Sequence, residues 1–217
     1  MMEVISLRGV SKAFGKKQVL RNIGLSINSG ELVGLIGKSG SGKSVLIKVI
    51  IGFLKPDTGD ILIKIGRDKI NFSMQGNSIH SYLTVKQNLK YFSKMYDLPR
   101  KERKAIIEDI LNKLNLREFE DVLVKKLSGG TQKRVDIGCS LLNNPDILIL
   151  DEPFLGLDPD LVNRLAGLVF ELNKKGKTII ISSHDIEMLK RICSKFILIN
   201  NGNLNIIDRK DLGMSFR

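Results

Sequence analysis

Short apolar runs, punctuated by glycine, asparagine and charged residues, fill the first third of the chain. Glu3 to Arg8 and Val19 to Leu25 read as strands, with Gly15 and Asn28-Ser29-Gly30 supplying turns. Leu32-Val33-Gly34-Leu35-Ile36 is apolar throughout, which predicts a strand buried on both faces. Val45 to Ile51 then reads as a helix in which Lys48 interrupts an apolar run. After the turn Lys55-Pro56-Asp57-Thr58-Gly59, two further strands are expected at Asp60 to Ile65 and Lys69 to Met74.

From about residue 76 the periodicity becomes helical. Thr84-Val85-Lys86-Gln87 is a capping-box pattern that opens a helix from Val85 to Tyr96. Pro99 starts a second helix to about Asn115, with Ala105, Ile106, Ile110, Leu111 and Leu114 at helical spacing. A third is expected from about Gln132 to Leu142. Strand patterns return at Asp146 to Leu150 and Thr178 to Ser182, separated by a helix from Asp160 to Asn173. Asp185 to Cys193 reads as another helix. Lys195 to Asn200 and Asn203 to Ile207 form a hairpin turning at Asn201-Gly202. The alternation predicts one α/β domain over 1–217, with a helical block at roughly 76–143 inserted between 1–75 and 144–217.

The chemistry concentrates where the buried strand meets the first helix. Gly37-Lys38-Ser39-Gly40-Ser41-Gly42-Lys43-Ser44 matches G-x-x-x-x-G-K-[ST], the phosphate-binding P-loop. Its glycines let successive N–H groups turn towards one anion, and the following helix adds about half a positive charge at its start. Lys43 is expected on the β- and γ-phosphates of a nucleoside triphosphate, and the Ser44 hydroxyl on Mg²⁺. Downstream, the apolar strand Ile147 to Leu150 ends in Asp151-Glu152. Asp151 suits the metal ion, and Glu152 suits orienting and deprotonating an attacking water. Leu127-Ser128-Gly129-Gly130 precedes a helix, with Ser128 as an N-cap and two glycines exposing N–H groups, which makes a second anion site.

Composition narrows the class. The net charge of +12 is spread along the chain, with short clusters at Arg100 to Lys104 and Lys174 to Lys177. Neither cluster interleaves aromatics with basic residues, so a nucleic-acid partner is not expected. The longest apolar stretches fall far short of the roughly 20 residues of a membrane span, and no signal-peptide pattern opens the chain. The two cysteines, Cys139 and Cys193, are expected as buried, reduced thiols.

Taken together, the P-loop, Leu127-Ser128-Gly129-Gly130 and Ile147 to Glu152 at these spacings resemble the ATP-binding cassette (ABC) family of transporter subunits over essentially the whole chain. The resemblance implies a P-loop NTPase core with an antiparallel β subdomain and an inserted α-helical signature subdomain. It also implies ATP and Mg²⁺ as ligands, and a head-to-tail dimer in which Ser128, Gly129 and Gly130 of one subunit close over the ATP of the other. Gln75 corresponds to the Q-loop, contacting Mg²⁺ or water and coupling to a membrane partner, whereas Gln87 belongs to the capping box. His184 corresponds to the switch histidine at the γ-phosphate, and Gly156-Leu157-Asp158 to the D-loop. His80 has no such context and reads as surface. Phe14 occupies the place of the aromatic that stacks on adenine; the competing reading packs it in the β subdomain.

The chain departs from the family pattern at Thr131, where glutamine is common, at Phe154-Leu155 after Glu152-Pro153, and in the short stretch between Lys43 and Gln75. None removes a catalytic group. The expected protein is a Mg-dependent ATPase subunit, cytoplasmic and held at the inner face of the membrane by a separate permease, with a lean towards export. The alternative is a non-transport ABC ATPase acting on a protein partner, of the iron–sulfur assembly or cell-division type.

Overall fold

A computed structural model describes residues 2–74, 76 and 78–212. Gln75 therefore lies outside the described residues, as do 213–217 at the end of the chain. Two sheets organise the rest. β1 (Glu3–Phe14), β2 (Lys17–Asn28) and β4 (Thr58–Ile63) form an antiparallel sheet in the order β2-β1-β4. The second sheet has the order β5-β6-β7-β3-β8-β9 and comprises β5 (Ile70–Ser73), β6 (Ile147–Asp151), β7 (Thr178–Ser183), β3 (Leu32–Ile36), β8 (Lys195–Asn200) and β9 (Asn203–Ile207). Its strands run parallel except for β9, which pairs antiparallel with β8 at the edge. The backbone N–H of Arg21 donates to Gly202 O at 2.8 Å, tying β2 to the β8–β9 turn.

The six-stranded sheet separates two cores, which is why its central strands are apolar without alternation. Leu148, Leu150, Ile179 and Ile181 face one core, built with α4 (Gly129–Leu141), α5 (Pro159–Lys174) and α6 (Ile186–Ile192). Ile147, Ile149, Ile180, Val33 and Leu35 face the other, filled by α1 (Lys43–Ile50) and the three-stranded sheet. Cys139 and Cys193 are buried free thiols, and burial pushes the Cys193 thiol up to about 12.

Between β5 and β6 the chain is helical, with α2 (Val85–Met95), α3 (Arg100–Lys113) and α4 in succession. The capping box at α2 forms in full: Gln87 N donates to Thr84 Oγ1 at 3.2 Å, and Thr84 N donates to Gln87 Oε1 at 2.9 Å. Several expected boundaries move. Pro99 is the cap before α3 rather than its first residue. Ala105 is exposed, and Ile107 takes its place in the buried stripe with Ile110, Leu111 and Leu114. α4 starts at Gly129 rather than near Gln132, because the Ser128 side chain accepts from Thr131 N and brings both glycines into the first turn. β1 and β2 run to Phe14 and from Lys17, longer than their apolar cores, since the antiparallel pairing continues through their polar ends.

Candidate nucleotide site

Four neighbouring parallel strands deliver the candidate residues to one edge of the sheet. β3 ends at Ile36 and leads into the P-loop, β5 ends at Ser73 two residues before Gln75, β6 ends on Asp151, and β7 ends at Ser183 before His184. Ligands of open α/β sheets bind at such carboxyl ends, where the loops converge. Phe14, Ser39, Gly40, Gly42, Lys43, Ser44, Asp151, Glu152 and His184 line a single cleft of about 610 Å³.

The P-loop backbone requires its glycines at two points. Gly42 caps α1 with φ 113°, a left-handed conformation that a side chain resists, and no side chain covers the free N–H groups of the first turn. A Cβ on Gly37 would stand 2.5 Å from the carbonyl oxygen of Ile199 on β8, so only glycine fits. Lys43 is buried and its Nζ curls back on the loop, donating to Gly37 O at 2.7 Å and to Lys38 O at 3.4 Å. Ser41 Oγ is buried without a partner among the described residues.

The carboxylates are held from two strands. Asp151 is paired with Ser182 across β6 and β7, and Ser182 Oγ donates to Asp151 Oδ1. Asp151 Oδ2 is buried with no hydrogen-bond partner among the described residues. Glu152 adopts φ 49°, uncommon for a side chain, while its N–H is shared between Ser182 O and Ser182 Oγ at 3.1 Å each. Its carboxylate lies between two cationic or ring nitrogens: Lys43 Nζ at 4.0 Å from Oε1, and His184 Nδ1 at 3.0 Å from Oε2. An anionic acceptor is thereby held beside the lysine that faces the phosphate cradle.

Phe14 is 49% exposed at the lip of the cleft, so its ring is not packed in the three-stranded sheet. Ser128, Gly129 and Gly130 do not line this cleft. Their helix start instead meets the loop after β6: a Cβ on Gly130 would lie 2.6 Å from Gly156 O, and Asp158 caps α5 by accepting from Leu161 N at 3.0 Å. At the departing position, Thr131 Oγ1 accepts from Arg134 at 3.0 Å, and Gln132 Nε2 donates to Leu127 O at 3.0 Å. His80 is exposed, its ring edge-on to Tyr91.

Four residues that line the cleft and one behind it escaped the sequence reading. Lys17, Val19, Val45 and Leu155 line the cleft, and behind it Ser182 bonds the Asp151 carboxylate and the Glu152 backbone N–H. Lys17 follows the Gly15 turn by two residues, a basic residue beside the aromatic that could have been noted. Ser182 sits in a strand whose burial is complete, and only its pairing with Asp151 reveals its task.

The family model described as ABC transporter matches residues 20–155, a span running from β2 through the P-loop and α4 to the loop after Glu152. The chain belongs to the ABC transporter family. It is an ATP-binding subunit with ATPase activity. A linearmycin resistance ATP-binding protein of Bacillus subtilis is 33% identical over 216 residues, covering 95% of this chain and 70% of the relative. The Nod factor export ATP-binding protein I of Sinorhizobium fredii is 34% identical over 207 residues, 91% of this chain and 60% of that relative. Among solved structures, a dimeric ATP-binding cassette in a post-hydrolysis state, bound to ADP and Pi, superposes on this ABC chain with a TM-score of 0.86. It is 28% identical, with 94% of this chain and 98% of that one covered. No helix among the described residues is long and apolar enough to cross a membrane.

Proposed function

We propose that this ABC ATPase powers an export-type transporter, working as a head-to-tail pair that drives a separate membrane permease. The observation that carries the reading is the convergence of Lys43, Asp151, Glu152 and His184 in one cleft beside the P-loop. Phe14 stacks on the adenine, and the N–H groups of residues 37–44 cradle the phosphates. Lys43 exchanges the carbonyls of Gly37 and Lys38 for phosphate oxygens. Glu152, held beside Lys43 and His184, orients the attacking water and takes its proton, a role worth roughly 10²–10⁴-fold. His184 contacts the γ-phosphate while steering Glu152, and Gln75 adds a polar contact to the same water.

The donor set fits Mg²⁺: the Asp151 Oδ2 acceptor is buried and orphaned, and Ser44 offers a hydroxyl. Asp151 and Ser44 would hold the ion from this chain. When bound, the ion neutralises charge on the phosphates.

Ser128, Gly129 and Gly130 lie outside their own cleft, which supports their use on a second copy's ATP. The dimeric cassette bound to ADP and Pi supports the same pairing. Residues 1–75 and 144–217 then bind the nucleotide, while the helical block 76–143 passes closure to a permease that holds the subunit at the inner membrane face. Names of relatives, linearmycin resistance and Nod factor export, favour outward movement. Glu152→Gln tests the reading: it should bind ATP, lose turnover and accumulate as an ATP-bound dimer in size-exclusion runs. Normal hydrolysis by that variant overturns it.

A further inference from the structure

α4 buries three charged side chains, Arg134 against the end of α3 and Lys133 and Asp136 against the ends of β5 and β6. Lys133 is 7% exposed and Asp136 is 3% exposed, among Val135, Ile137 and Cys139. The Lys133 ammonium donates to Met74 O at 2.9 Å and to Asp151 O at 2.9 Å. Met74 immediately precedes Gln75, and Asp151 immediately precedes Glu152. One turn further on, Asp136 accepts from Ser73 Oγ at 2.5 Å and from Ser78 N at 3.1 Å. The helix that begins at Ser128 therefore grips both flanks of the segment carrying Gln75, and the end of the strand carrying Glu152.

Burying an ammonium is costly, and simple packing of α4 on β5 and β6 would call for an apolar residue. Burial pushes the Lys133 ammonium down, while the carboxylates of Asp136, Asp151 and Glu152 oppose that push. What the ammonium supplies is several donors on one atom at the end of a long stem, able to join two strand ends that no single neutral hydroxyl would span. The peptide between Asp151 and Glu152 shows the effect. Its carbonyl is held by Lys133 from α4, and its N–H is held by Ser182 from β7. Both polar groups of that plane are fixed, and Glu152 leaves it at an uncommon φ of 49°.

We propose that Lys133 is a positioning residue: by fixing the Asp151–Glu152 peptide and the Met74 carbonyl to α4, it sets where the Glu152 carboxylate points. The helix headed by the Ser128 motif thus aims the base of its own subunit. The proposal rests on the assignment of Glu152 as base. A misplacement of about 1 Å at a reacting group costs on the order of 10²-fold in rate.

Lys133→Met keeps the aliphatic stem without donors, and Lys133→Arg keeps charge and donors. The full-length chain should show kcat reduced about 10²-fold in Lys133→Met, with ATP affinity within about threefold of wild type and an unchanged melting temperature. Lys133→Arg should recover much of the loss. Two results overturn the proposal: wild-type kcat in Lys133→Met, or loss of activity, affinity and melting temperature together in both variants, which would leave Lys133 a purely structural role. Glu152→Gln run alongside keeps the two ideas apart. Full activity in that variant removes the base assignment, whereas its inactivity with a fully active Lys133→Met removes only the positioning role.

Discussion

His184 Nδ1 lies 3.0 Å from Glu152 Oε2, joining the first residue after β7 to the first residue after β6. The imidazole is 64% exposed while the carboxylate is 11% exposed, so the histidine is the movable member of the pair. Removing it frees Glu152 to swing towards Lys43, 4.0 Å from its other oxygen. His184→Ala should lower kcat by about 10²-fold with a smaller change in ATP affinity, measured by steady-state phosphate release and equilibrium nucleotide binding.

Ser182 ties the Asp151 carboxylate and the Glu152 backbone together through one hydroxyl. It donates to Asp151 Oδ1 and accepts from the N–H of Glu152. Ser182→Ala leaves a buried aspartate oxygen without its donor, at a cost of about 1–3 kcal/mol. Urea unfolding should show that loss, and ATPase activity should fall with it. Unchanged stability would mean that Asp151 finds another donor.

Phe14 offers a half-exposed π-face on the lip of the cleft. Base–aromatic stacking contributes about 1–3 kcal/mol by alanine substitution. Phe14→Ala should weaken ATP binding by that amount and Phe14→Trp should retain it, read by titration with ATP. Equal affinity in both variants removes Phe14 from the adenine site.

The long periodic elements and the strand–loop–helix setting of the P-loop were legible in the residues. So were the β8–β9 hairpin at Asn201-Gly202 and the capping box at Thr84, because each rests on local chemistry. The start of α4 was not, since glycines at 129 and 130 disfavour a helix until Ser128 caps it. Ser182 and Lys133 were invisible for a different reason. Their tasks depend on which strand ends become neighbours, and nothing within a few residues of either position states that Asp151 will lie alongside.

Acid should loosen the junction of β2, β3 and β8 through Glu31. Burial works to raise its carboxyl, but the Asn28 N–H at 3.1 Å and the Lys195 ammonium at 3.0 Å outweigh it and hold the pKa below the usual value near 4.5. With the folded value below the unfolded one, the stabilisation is complete above the usual carboxylate range and is lost as pH falls through the folded value. Thermal melts should place Glu31→Gln below wild type at pH 7, with the gap closing as the pH falls below the usual carboxylate range.

The cleft that omits Ser128, Gly129 and Gly130 has a kinetic corollary. On the proposed pairing, a chain that carries a cradle on one surface and a lid on another does not serve itself. Its turnover per molecule then depends on meeting a copy, and free subunits diluted away from each other would idle with ATP bound. Holding two of them side by side would set the rate as firmly as any change in the chemistry.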